Sequence, residues 1–100
     1  IGYSGIGYAT SGVRAVPLSD TKRYNGQAFA ANYENALNGK YPLARYLYIY
    51  INRDPKKPMD PLTREFLKFV LSKDGQEIVV KDGYLPLTSK LETTELAKLK

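Results

Sequence analysis

Apolar residues follow three different periods along the chain, and each period predicts a different element. In "YPLARYLYIYINRDP", residues 41–55, Tyr46, Tyr48 and Tyr50 alternate with Leu47, Ile49 and Ile51. Side chains on an extended chain alternate with period two, so this stretch predicts a strand with tyrosines on one face and aliphatic residues on the other. Neither face is polar, as expected of a strand covered on both sides.

Two further strands are expected upstream. "IGYSGIGYA" reads as a strand interrupted at Gly2, Gly5 and Gly7, with bulges or a close backbone approach at the glycines. "VRAVPL" reads as a short strand whose Pro17 marks an edge or an end. The IGY repeat occurs twice only and is too short for a repeat architecture. Residues 19–27 form a polar turn, and a short helix is expected from about Ala30 to Leu37, stopped by Gly39 after Asn38.

Downstream of the proline-punctuated "NRDPKKPMDP" the period changes to that of a helix. Asp60 followed by Pro61 combines a capping acceptor with proline at the first helical position. Leu62, Phe66, Phe69 and Val70 follow at i, i+4, i+7 and i+8. Ser72 caps the next helix, which Gly83 stops after Asp82. "SKLETTELAKLK" predicts a modest amphipathic helix at the end of the chain. Strands mixed with helices give an α/β fold class, with helices covering a largely parallel sheet.

Composition narrows the chemistry. The 100 residues are 43% hydrophobic, sufficient for one ordinary domain. Cysteine and histidine are both absent, so a disulfide framework, thiolate redox chemistry, Ser-His or Cys-His catalysis and the usual zinc, copper and haem ligands are excluded. No metal and no cofactor is expected. The chain opens Ile1-Gly2-Tyr3 with no signal-peptide pattern and inside a strand-like run, which predicts a piece of a larger fold. The net charge of +5 raises an anionic partner. Residues 51–100, however, carry ten Lys or Arg against eight Asp or Glu, interleaved as on a solvated surface.

Several blocks in order carry a resemblance. "IGYSGIGYATSGVRAVPL", "NGKYPLARYLYIYIN" and "PLTREFLKFVLSKDGQEIVVKDGYLPL" resemble consecutive parts of the C-terminal portion of the phosphate-binding proteins of bacterial phosphate ABC transporters. The resemblance runs from Ile1 to about Leu87. Its most specific elements are Gly39-Lys40-Tyr41-Pro42-Leu43, leading into the aromatic strand, and Gly75-Gln76 followed by Asp82-Gly83-Tyr84-Leu85-Pro86-Leu87.

The resemblance implies part of a two-lobed α/β fold of the periplasmic-binding-protein type II class. Residues 1–40 would be a remnant of the second lobe, 41–52 a returning crossing strand, and 53–100 the C-terminal helical part of the first lobe. It implies a periplasmic or exported cell-envelope protein that binds orthophosphate, delivers it to the membrane permease of an ABC transporter, and catalyses nothing. Such proteins hold phosphate with Ser and Thr hydroxyls, backbone amides at helix N-termini, an arginine and an acidic acceptor. No Thr-Gly or Ser-Gly-Thr loop opens a helix in this chain, so the principal ligands are expected upstream.

The candidate ligand residues within the chain are Tyr3, Ser4 and Arg45. Ser4 sets a hydroxyl beside a glycine that permits close backbone approach, and the Arg45 guanidinium has the geometry to clamp an anion through two hydrogen bonds. A bulged strand and a solvated or paired arginine are the structural alternatives. Ser11-Gly12 is chemically similar to Ser4-Gly5 but reads as a surface turn. Asp60 with Glu65, and Asp74 with Glu77, are explained by a helix cap and solvated helix faces, and not by paired catalytic carboxylates.

A second functional reading is a basic α/β interaction module that stacks single-stranded nucleic acid on Tyr46, Tyr48 and Tyr50. The absence of an RNA-recognition signature sets nucleic acid below phosphate as a partner. If this chain exists alone, the uncovered faces of its tyrosine strand predict self-association or domain swapping.

Overall fold

The computed structural model describes all residues, 1–100, and the chain divides into two compact units, Ile1–Tyr48 and Ile49–Lys100. No helix is long and apolar enough to cross a membrane.

In the first unit the expected N-terminal strand is replaced by a 3₁₀ turn over Ile6–Tyr8, closed by Tyr8 N–H donating to the Gly5 carbonyl at 3.0 Å. The glycine signal there points to no close approach. A side chain at Gly2 would meet nothing, and Gly5 has φ −65°, open to any residue. The strand expected in "VRAVPL" shrinks to its end. Strand β1, Leu18–Ser19, pairs antiparallel with β2, Ala28–Phe29, in the register Leu18↔Phe29 and Ser19↔Ala28.

The polar turn between them is present. Asp20 accepts from the Lys22 amide at 2.8 Å and from Arg23 Nε at 2.9 Å, while Tyr24, Asn25 and Gly26 take positive φ to reverse the chain. Those two bonds hold the Asp20 carboxyl below its ordinary pKa, the backbone bond first. Helix α1, Tyr33–Leu37, is capped by Asn32, whose side chain accepts the Asn35 amide at 2.8 Å. Gly39, at φ +78°, ends it as its position after Asn38 predicts.

The strand expected through Tyr46–Ile51 belongs to no sheet; residues 45–54 have no regular secondary structure. A strand is stable only when its backbone groups are paired, and the sole ladder in the chain is the two-residue β1–β2 pair. The alternation itself survives locally, because the rings of Tyr46 and Tyr48 meet edge to face with centroids 6.3 Å apart. The largely parallel sheet expected from the strand pattern is not formed here.

The second unit is helical and follows the capping signals closely. Helix α2 spans Pro61–Val70, α3 Lys73–Lys81 and α4 Ser89–Ala97. Asp60 Oδ2 accepts from the Thr63 amide at 3.0 Å and the Thr63 hydroxyl at 3.1 Å; Ser72 accepts from the Gly75 amide and Thr88 from the Leu91 amide, each at 3.2 Å. Gly83, at φ +91°, terminates α3 after Asp82. Met59, Leu67 and Leu99 form the buried core, with Leu71 packed against it. All three lie in the second unit, and the first unit has no buried residue.

Candidate functional site

Tyr3, Ser4 and Arg45 all lie in the first unit and are exposed. Tyr3 and Ser4 precede the 3₁₀ turn, and Arg45 stands beyond the Tyr41–Ala44 turn, in which the Ala44 amide donates to the Tyr41 carbonyl at 3.3 Å. No hydrogen bond joins the three, and no buried wall surrounds them.

An anion site on a helix N-terminus needs free amides and a positive end left open. The three long helices close those ends with their own side chains. At α2 the capping group is itself a carboxylate, and its bonds to the Thr63 amide and hydroxyl hold Asp60 below its ordinary pKa. A carboxylate seated there repels a second anion. At α3 and α4 the Ser72 and Thr88 hydroxyls occupy the same place.

Two surface clefts of the second unit are both electrically balanced. The larger, about 540 Å³, sets Lys73 and Lys81 among Glu77 and Glu92, with Val80 and Pro86 as its apolar lining. The smaller, about 210 Å³, sets Arg53 and Lys57 against Asp54 and Asp60. Arg53 is already engaged, donating from Nη2 to the Lys100 carbonyl at 2.8 Å and from Nη1 to the Lys98 carbonyl at 3.4 Å. Phosphate carries up to two negative charges at neutral pH, and neither cleft has the surplus of donors and positive charge to neutralise it. His, Cys, Asp and Glu form no group of three or more that could hold a metal ion.

Gln76, singled out in the sequence only as part of the Gly75-Gln76 pair of the resemblance, has a structural role of its own. It is buried, donates from Nε2 to the Val70 carbonyl at 2.9 Å and accepts the Leu87 amide at 2.9 Å. It thereby ties the α2–α3 corner to the segment before α4. This is a positioning role. Its sequence signal is the Gly75-Gln76 pair shortly after the Ser72 cap, which marks the position but not its two backbone partners.

Comparison with known proteins supplies what the exposed geometry does not. The profile of the PBP superfamily domain matches residues 1–74. The chain belongs to this superfamily. The Phosphate-binding protein PstS of Pseudomonas aeruginosa is 54% identical over 100 residues, covering 99% of this chain and 30% of that protein. The Phosphate-binding protein PstS 2 of Streptococcus agalactiae is 33% identical over 87 residues, covering 87% of this chain and 26% of that protein. That of Streptococcus pneumoniae is 32% identical over 95 residues, covering 95% and 28%. The chain therefore spans less than a third of the length of the curated relatives it matches.

Proposed function

We propose that the chain is the C-terminal part of a solute-binding protein that captures inorganic phosphate outside the cytoplasmic membrane and delivers it to the permease of an ABC transporter, with no chemical step. The observation that carries this reading is the 54% identity to a phosphate-binding protein along 99% of the chain. Sequence identity at this level over a whole chain preserves the packing positions that define a fold.

Within that protein, residues 1–40 belong to the second lobe, residues 41–52 return to the first lobe as a strand, and residues 53–100 complete the first lobe. The principal phosphate ligands lie on polypeptide outside these 100 residues. That assignment agrees with helix N-termini closed by Asp60, Ser72 and Thr88 and with two charge-balanced clefts. Tyr3, Ser4 and Arg45 are the residues of this chain proposed to approach the anion, through hydroxyls and a guanidinium that lie exposed.

The test is calorimetric titration with orthophosphate, and with sulfate as the control, of two proteins. One is the 100-residue chain. The other is the full-length Pseudomonas aeruginosa relative with these residues exchanged for its matching stretch. The expected result is no saturable heat for the short chain and phosphate-selective binding for the chimera, weakened by Ser4→Ala or Arg45→Ala. Selective binding by the short chain would overturn the placement of the ligands. Failure of a folded chimera, where the parent protein binds, would overturn the functional reading.

A further inference from the structure

Two asparagines of the chain are followed by glycine, Asn25-Gly26 and Asn38-Gly39, and both asparagines are exposed to water. Such a pair carries its own chemistry. The glycine nitrogen is within reach of the preceding side-chain Cγ, and glycine has no Cβ to crowd the approach. Reaction then depends on what engages that nitrogen and what polarises that side-chain carbonyl.

The fold treats the two pairs in opposite ways. At Asn25 both following amides are engaged: Gly26 N–H donates to the Arg23 carbonyl and Gln27 N–H to the Tyr24 carbonyl, each at 3.0 Å. These bonds close a reversal in which Tyr24, Asn25 and Gly26 all take positive φ. At Asn38 the Gly39 amide donates to no backbone carbonyl. The Lys40 amide donates instead to the Asn38 side-chain oxygen, at 3.0 Å. A donor on the oxygen of an attacked carbonyl stabilises the charge that builds there in the tetrahedral intermediate. Asn38 is also anchored, because its own N–H donates to the Glu34 carbonyl at 3.0 Å as the C-cap of α1. The electrophile is thus held and polarised beside a nitrogen that no backbone bond restrains.

We propose that Asn38 is a site of spontaneous modification in which its side-chain amide is lost, while the fold protects Asn25. The Gly39 nitrogen bonds to Asn38 Cγ and gives its proton to water; the Cγ–Nδ2 bond breaks and ammonia leaves, closing a five-membered succinimide. Water then adds to either ring carbonyl and breaks its bond to the ring nitrogen, which yields aspartate or isoaspartate. The net reaction consumes water and releases ammonia, with no oxidant and no cofactor. Isoaspartate routes the main chain through the former side chain and lengthens it by one carbon. That change falls inside the turn where the Tyr41 amide donates to the Asn35 carbonyl at 3.0 Å, so this product loses the register that joins α1 to the Tyr41–Ala44 turn.

The test is incubation of the 100-residue chain in mildly alkaline buffer, folded and in concentrated urea. Tryptic cleavage after Arg23 and Lys40 releases one peptide, residues 24–40, that carries both pairs, and its fragmentation in a mass spectrometer locates the exchange of NH2 for OH. In the folded chain Asn38 should convert about fivefold faster than Asn25 or more, the factor set by one intact backbone hydrogen bond on the Gly26 nitrogen. In urea the two rates should converge. Conversion of Asn25 as fast as Asn38 in the folded chain would overturn the proposal. So would an unchanged ratio in urea, which would assign the difference to neighbouring residues in the sequence. A folded chain in which Asn38 stays intact while the unfolded chain converts would overturn it as well.

Discussion

The Gln76 side-chain oxygen accepts the Leu87 amide at 2.9 Å across eleven residues of chain. The same side chain donates to the Val70 carbonyl, so one buried amide satisfies two backbone groups from segments with no shared secondary structure. Gln76→Ala leaves both groups without their partner. The expected cost is about 1–3 kcal/mol, the penalty for partly buried groups left unsatisfied. Urea denaturation followed by circular dichroism measures it; a midpoint unchanged from the parent would show that water replaces the side chain at no cost.

Gly75, the neighbour of Gln76, is buried and set against the end of α2. A Cβ there would fall deep inside the van der Waals envelope of the Phe69 carbonyl oxygen and 2.7 Å from that of Val70. The obstructing atoms are backbone, which cannot rotate away as a flexible side chain does. Gly75→Ala is therefore expected to open the α2–α3 corner and destabilise the chain by about 1–3 kcal/mol, as overpacking does elsewhere. Glycine is a poor helix former, so without the clash the same change would stabilise by up to about 1 kcal/mol. The sign of the shift in melting temperature decides between the two.

The cap of α2 predicts a pH dependence. The Asp60 carboxyl is held below its ordinary value of 3.8, first by the Thr63 amide and then by the Thr63 hydroxyl. A carboxyl depressed in the folded state stabilises the fold above its unfolded pKa, and that contribution is lost as pH falls through the folded value. Asp60→Ala should thus lower the melting temperature at pH 6, and the gap from the parent should close below about pH 3.8. A gap that stays constant down to pH 2 would assign the loss to something other than the carboxylate.

What could be read from the sequence divides by range of interaction. Caps and stops are local, made within three or four residues, and Asp60, Ser72, Gly39 and Gly83 all act where their positions in the sequence indicate. Strands depend on partners distant in sequence. The run Tyr46–Ile51 has the alternation of a buried strand but no ladder, and "IGYSGIGYA" closes into a turn. The amphipathic period of α2 was legible, but not that its stripe would be shared between a small core and an uncovered face. Of the candidate site, the residue types at Tyr3, Ser4 and Arg45 were legible. The structure joins them by no hydrogen bond and leaves all three exposed, so residue type is all that either level provides there. Gln76 was missed as a tie because its two partners lie six and eleven residues away, outside any local motif.

Arg53 ties down the end of the chain. Its Nη2 donates to the Lys100 carbonyl at 2.8 Å and to the Lys57 carbonyl at 3.4 Å, and its Nη1 donates to the Lys98 carbonyl at 3.4 Å. Leu99, between two of those carbonyls, is one of the three core residues. The fork therefore holds the segment that inserts Leu99. A lysine has one charged nitrogen on a flexible stem and lacks the planar fork that reaches several carbonyls together. Arg53→Ala should loosen this segment by about 1 kcal/mol, the net worth of a typical hydrogen bond, and Arg53→Lys should restore it only in part. The readout is amide exchange at Lys98 and Leu99, whose N–H groups donate to the Glu95 and Leu96 carbonyls at 3.1 Å. Exchange there should accelerate about fivefold in Arg53→Ala, with the α2 amides unchanged. Acceleration spread evenly over all three helices would instead mean that the arginine supports the whole unit, and no acceleration would mean that Leu99 is held by the core alone.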